Sequence, residues 1–122
     1  MSAGAVLKGS LGEDAAVKEL KRLGYRILER NYRCRTGEID IIALDKDTVV
    51  FVEVKTRGSD SFGDGKSSVD VRKQRKIVSA SMHYLSSKAL SGAEARFDVV
   101  DISMKDGRLD IEVIRDAFLA GS

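Results

Sequence analysis

The sequence predicts an α/β domain in which a mixed β-sheet is flanked by helices in the order αβββαββ, and three observations support that order. First, the stretch TGEIDIIALDKDTVVFVEVKTR, residues 36–57, holds two arms rich in β-branched residues, Glu38–Leu44 and Val49–Lys55, around the polar turn 45–48. Both arms are apolar on both faces near the turn, which marks central strands covered on each side. Second, residues 9–23 and 69–87 carry apolar residues at helical spacing. Third, strand 49–55, helix 69–87 and strand 95–104 form a crossover, so those two strands are expected to be parallel and their connection right-handed.

Each element has its own signal. In the first helix Ala16, Leu20 and Leu23 recur on one stripe, and Gly24 is placed to end it. Glu13 precedes Ala16, Val17 and Leu20 by three, four and seven residues and so falls on the inward stripe. A carboxylate in a first turn either compensates the helix dipole or serves a site. Tyr25–Arg33 reads as a strand carrying Arg26, Arg30 and Arg33, with Arg35 beyond; such arginines either form a solvated edge or hold phosphates bidentately. The Gly/Ser/Asp-rich run that follows Arg57, about residues 58–68, is expected to be a mobile loop beside the strand ends.

The second helix should take Ser68 or Asp70 as its cap and bury Ile77, Ala80, Ser81, Tyr84 and Leu85. Arg72, Lys73, Arg75 and Lys76 crowd its first turns, where the macrodipole disfavours cations. Phosphate contact and a solvated face both account for them. Lys73 lies four residues before Ile77 and is the member expected to approach the sheet, whereas His83 falls on the polar side. Ala95–Met104 alternates as a strand, Asp106-Gly107 is a hairpin turn, Leu109–Ile114 is the last strand and Phe118 is expected to pack back on the sheet. Asp98 is expected to pair with Arg96 or another arginine rather than to serve a site.

The central hairpin concentrates charge. With a turn at 45–48, Leu44 faces Val49, Ile42 faces Phe51, Asp40 faces Glu53 and Glu38 faces Lys55, while Ile39, Ile41 and Ala43 line the opposite face. A one-residue slip would send Asp40 to the all-valine face, which burial forbids. Two carboxylates about 4 Å apart at an effective dielectric near 20 repel by roughly 4 kcal/mol. Such a pair must take up a proton, lean on Lys55 or bind a hard divalent cation.

An Asp on one strand followed on the next by Glu-x-Lys resembles the PD-(D/E)XK nuclease superfamily, which includes restriction endonucleases and archaeal Holliday-junction resolvases. More narrowly, GEDAAVKEL, LGYRILERNYR, GEIDIIA, VFVEVKTR and RFDVV resemble the YraN family of small endonuclease-like bacterial proteins, over about residues 9–118. The resemblance implies a restriction-endonuclease-like fold. It also implies catalytic roles for Asp40, Glu53, Lys55 and Glu13, with Asp40, Glu53 and the backbone carbonyl of Val54 as ligands of magnesium or manganese. Ile39 stands where the superfamily name has proline, and the Gln-xxx-Tyr motif of some relatives is absent, since Val78 lies four residues after Gln74. On this reading Arg72, Lys73, Arg75, Lys76, Arg30 and Arg33 contact the nucleic-acid backbone.

Composition bounds these expectations. The 122 residues, 43% hydrophobic and 33% charged, suit one globular domain, and a net charge of +2 leaves any attraction for nucleic acid to local patches. Cys34 is the only cysteine, so an internal disulfide and a cysteine-rich zinc site are excluded. No signal peptide or membrane span is expected, and a reducing cytoplasm is the expected location. The sequence is thus read as a magnesium- or manganese-dependent nuclease acting on nucleic acid, with branched or single-stranded DNA as the favoured substrate. The alternative is a nucleic-acid-binding protein that keeps the fold without cutting, and a homodimer is compatible with either.

Overall fold

A computed structural model describes residues 10–57 and 69–118. The expected loop at 58–68, the cap residue Ser68 and the last four residues lie outside the described residues. The elements are α1 (Ser10–Arg22), β1 (Arg26–Cys34), β2 (Gly37–Asp45), β3 (Thr48–Arg57), α2 (Val71–Ser87), β4 (Ala95–Lys105) and β5 (Arg108–Phe118). The order αβββαββ is therefore as the sequence predicts.

One five-stranded sheet runs β1-β2-β3-β4-β5. Only β3 and β4 are parallel, joined through α2; the other neighbours are antiparallel. Each face is covered by one helix. Ala16 and Leu20 of α1 pack with Ile41, Ala43, Val50, Val52, Val100 and Ile102. Ile77, Ala80 and Tyr84 of α2 pack with Ile42, Val49, Phe51, Phe97, Val99 and Phe118. Burial on both faces is the reason β3 reads as a nearly continuous apolar run. This mixed α/β architecture is that of a restriction-endonuclease-like fold.

Local chemistry sets the element ends. At the end of α1, Gly24 takes φ +96°. The Tyr25 N–H reaches the Leu20 carbonyl at 2.9 Å and the Gly24 N–H the Lys21 carbonyl at 3.0 Å, a Schellman closure that places Leu23 outside the core. Asp70 caps α2, its carboxylate accepting the Lys73 N–H at 2.8 Å. The last strand continues beyond Ile114 to Phe118, whose ring stacks on Phe97 at 5.0 Å between centroids.

The β2–β3 ladder pairs Leu44 with Val49 and Ile42 with Phe51, as expected, but its last pair toward the open end is Ile41 with Val52. Asp40 and Glu53 are not ladder partners, nor are Glu38 and Lys55. Ile39 also departs from strict alternation, joining Ile42 in the α2-side core instead of Ile41 on the other face.

The outer strands are irregular as well. The register shifts between Ile27 and Glu29 in β1 and between Phe97 and Val99 opposite β5, and Asn31 and Asp116 take positive φ of 54° and 51°. Asp98, fully buried, accepts from Arg96, from the Tyr25 hydroxyl at 3.0 Å and from the Asp116 N–H at 3.1 Å. It is a structural pair with Arg96, as expected.

Helix α2 crosses the sheet close to Gly37. A Cβ at that position would lie 2.8 Å from the Lys76 carbonyl oxygen, a backbone atom that cannot step aside. Gly37→Ala should therefore push α2 off β2 and lower stability by about 1–3 kcal/mol, the usual range for overpacking. Urea denaturation of the two proteins measures it.

Candidate metal centre and phosphate groove

The charged residues singled out in the sequence gather where the β2–β3 ladder opens, beside the first turns of α2. Asp40 Oδ2 accepts the Val54 N–H at 2.8 Å. A side chain thus takes a backbone donor that the ladder has ceased to use. Val54 does stand at the site, by its N–H.

Burial, then the neighbouring Glu53 carboxylate, push the Asp40 carboxyl up to about 7; the Val54 N–H and Lys73 pull the other way, and Glu13 adds to the rise. Glu53 is buried at 5% exposure, and its Oε1 lies 2.5 Å from Lys73 Nζ. The expected approach of Lys73 to the sheet is therefore direct contact with Glu53.

Lys55 completes the cluster. Burial, followed by the charge of Lys73, lowers its ammonium pKa against the pull of Glu53 and Asp40. Burial also works against the charge on Lys73, yet Glu53 and Lys55 outweigh it and the net shift is upward.

Glu13 stands behind this group. Its Oε1 accepts from Arg30 Nε at 2.8 Å and Asn31 Nδ2 at 3.0 Å, while Arg30 also reaches Asp14 at 2.6 Å. Arg30 is thereby turned toward α1 carboxylates and not toward the groove described below. The sequence signal for Asn31 is an amide-bearing residue inside a strand, the residue type that tolerates positive φ. His83 is exposed, as expected, and its Nδ1 bonds the Tyr32 hydroxyl on the outer side of α2.

A groove of about 600 Å³ lies between the β1–β2 turn and the start of α2. Arg33, Arg35, Arg72, Lys73 and Lys76 line it, against two anionic residues, Glu38 and Asp70. Of these, Glu38 sits 3.3 Å from Arg33 and Asp70 caps α2. Arg75 is exposed and does not line the groove. The cations that the helix dipole disfavours thus face a concave surface suited to anions.

Among the described residues no three His, Cys, Asp or Glu side chains stand together as a metal cage. Asp40 and Glu53 nevertheless fit the needs of magnesium or manganese. Such ions use one or two carboxylates and complete their shell with water and substrate phosphate oxygens. A buried carboxyl raised toward neutrality by a second carboxylate is a group that a divalent cation relieves.

The Asp40 shift has a pH consequence. Its carboxyl titrates near 3.8 when unfolded and near 7 when folded, so between those values the folded chain holds the extra proton and stability falls as pH rises. At about 1.4 kcal/mol per pKa unit the loss is on the order of a few kcal/mol. Asp40→Asn should remove this slope and match or exceed the wild type above pH 7. Manganese should flatten the wild-type slope and leave the variant unmoved. Melting curves at several pH values, with and without manganese, test both statements.

The family model described as "Uncharacterised protein family UPF0102" matches residues 12–102. A UPF0102 protein of Syntrophus aciditrophicus is 54% identical over 110 residues, covering 90% of this chain and 87% of the relative. Another, of Moorella thermoacetica, is 46% identical over 113 residues, covering 91% and 94%. A third, of Clostridium perfringens strain 13, is 44% identical over 112 residues, covering 90% and 92%.

Proposed function

We propose that this chain, which belongs to the UPF0102 family, hydrolyses phosphodiester bonds of nucleic acid with a divalent cation. The observation that carries the reading is the joining of Asp40, Glu53, Lys55 and Lys73 at the open end of the ladder. Asp40 and Glu53, with the Val54 carbonyl, would hold magnesium or manganese. When bound, the ion lowers the pKa of water and offsets charge on the attacked phosphate.

The remaining steps fall to side chains of this chain. Arg33, Arg72 and Lys76 would hold the phosphates flanking the scissile bond along the groove. Lys55 Nζ, whose charge burial and Lys73 disfavour, would take the proton of the attacking water as the new P–O bond forms. The leaving oxygen departs with the old P–O bond's electron pair and is protonated from solvent. DNA is the favoured substrate, with a single strand or a branch point reaching a groove of this size more readily than an intact duplex.

A second reading is binding without cleavage. It is favoured by the lack, among the described residues, of a third carboxylate or histidine in the cluster. The groove serves this reading equally, because its phosphate contacts need no metal.

Incubation with labelled linear, single-stranded and four-way-junction DNA, with and without magnesium or manganese, separates the two. Cleavage should need the cation and disappear in Asp40→Asn, Glu53→Gln and Lys55→Ala while each variant stays folded by circular dichroism. Shifted DNA with no product under any metal would establish the second reading. In either case Arg72→Ala or Lys76→Ala should weaken binding to all sequences and reduce the slope of log K against log salt by about 0.7–0.9. Arg75→Ala, off the groove, should leave the slope unchanged.

A further inference from the structure

Among the described residues, Lys73 is the side chain that belongs both to the carboxylate pair and to the groove. Its Nζ lies 2.5 Å from Glu53 Oε1, and its stem lines the cavity with Arg33, Arg72 and Lys76. The two partners are unequally buried: the Lys73 side chain is 44% exposed and that of Glu53 only 6%.

This asymmetry decides how the pair can break. An ammonium that leaves Glu53 returns to water or meets a phosphate oxygen in the groove. Glu53 has no such recourse, and a buried carboxylate without a cation is costly. Lys73 is therefore free to leave when another cation takes its place. Its main chain stays put, since the Lys73 N–H is fixed on the Asp70 cap at 2.8 Å. Movement is confined to the flexible four-carbon stem.

We propose that Lys73 is a displaceable internal counter-ion, which neutralises Glu53 in the metal-free protein, yields it to a divalent cation, and then presents its ammonium to a substrate phosphate in the groove. The proposal rests on the reading of Asp40 and Glu53 as metal ligands. It makes cation binding and phosphate binding help one another, because each frees Lys73 for the other, and by linkage the coupling is reciprocal. The side chain at this position is also fitted to the role by type. Arginine would grip Glu53 with a two-pronged contact and yield less readily. An apolar residue would leave the metal-free carboxylates uncompensated.

The test measures manganese affinity by calorimetry, without nucleic acid, for wild type, Lys73→Met, Lys73→Arg and Arg72→Met. Lys73→Met should bind manganese about 5- to 150-fold more tightly, the span of ordinary coupling between sites. Lys73→Arg should bind it more weakly than wild type. Arg72→Met removes a charge from the same groove without touching Glu53 and should change affinity little. Its solvent-exposed field is screened.

Equal affinities for Lys73→Met and Arg72→Met, or weaker binding by Lys73→Met than by wild type, would overturn the proposal. If Lys73→Met does not fold, the arginine variant decides: affinity equal to or above wild type overturns the proposal, and weaker binding sustains it. Glu53→Gln separates this failure from failure of the metal reading. Manganese bound by wild type, lost in Glu53→Gln and unaltered in Lys73→Met sinks the counter-ion alone. No binding by any of the proteins sinks both.

Discussion

Two carboxylates held in partial burial at the mouth of one strand pair govern the surrounding structure. At about 4 Å and an effective dielectric near 20, each such repulsion is worth roughly 4 kcal/mol, too much to leave unanswered in a domain of this size. The neighbours answer it in kind. The Val54 N–H turns from the ladder to Asp40, Lys73 closes on Glu53, and Arg30 with Asn31 holds the third carboxylate, Glu13, in a contact of its own. The ladder's open end and the first turn of α2 meet at this pair.

The other face of the sheet, toward the β2–β3 turn, shows the opposite design. Asp98 is as deeply buried as any carboxylate among the described residues, yet it is fully supplied by Arg96, the Tyr25 hydroxyl and the Asp116 N–H, and Arg96 also reaches Asp45 at 3.0 Å. Burial and Asp98 beside it push the Tyr25 hydroxyl up to about 12, so it remains a donor at all physiological pH. A satisfied network of this kind rigidifies a fold. A cluster with one shared lysine and a carboxyl raised toward neutrality leaves chemistry to be done.

Much of this was legible in the sequence. Element order, the Leu44–Val49 and Ile42–Phe51 pairs, the Gly24 stop and the inward aim of Lys73 follow from period and local chemistry. The face assignment failed at Ile39, and the pairing of Asp40 with Glu53 failed with it, because no glycine or proline marks the fault in β2. Strict alternation was the sound expectation there. The destinations of Arg30 and Asn31 depend on where α1 lands, and the groove depends on how closely α2 approaches Gly37. Those are contacts between distant parts of the chain, and a periodic pattern carries no record of them.

The irregular outer strands have a bearing on how the protein behaves in a crowded solution. Among the described residues β1 and β5 end the sheet on either side, and an unguarded outer strand is a template for the next molecule. Here each departs from flat pairing, at Asn31 and the Ile27–Glu29 shift on one side and at Asp116 on the other. Exposed charges follow both, Arg26, Arg30 and Arg33 along β1 and Arg108, Asp110, Glu112 and Arg115 along β5. Kinked, charged borders resist strand-on-strand stacking. They work against a neighbouring molecule adding a strand of its own to either border.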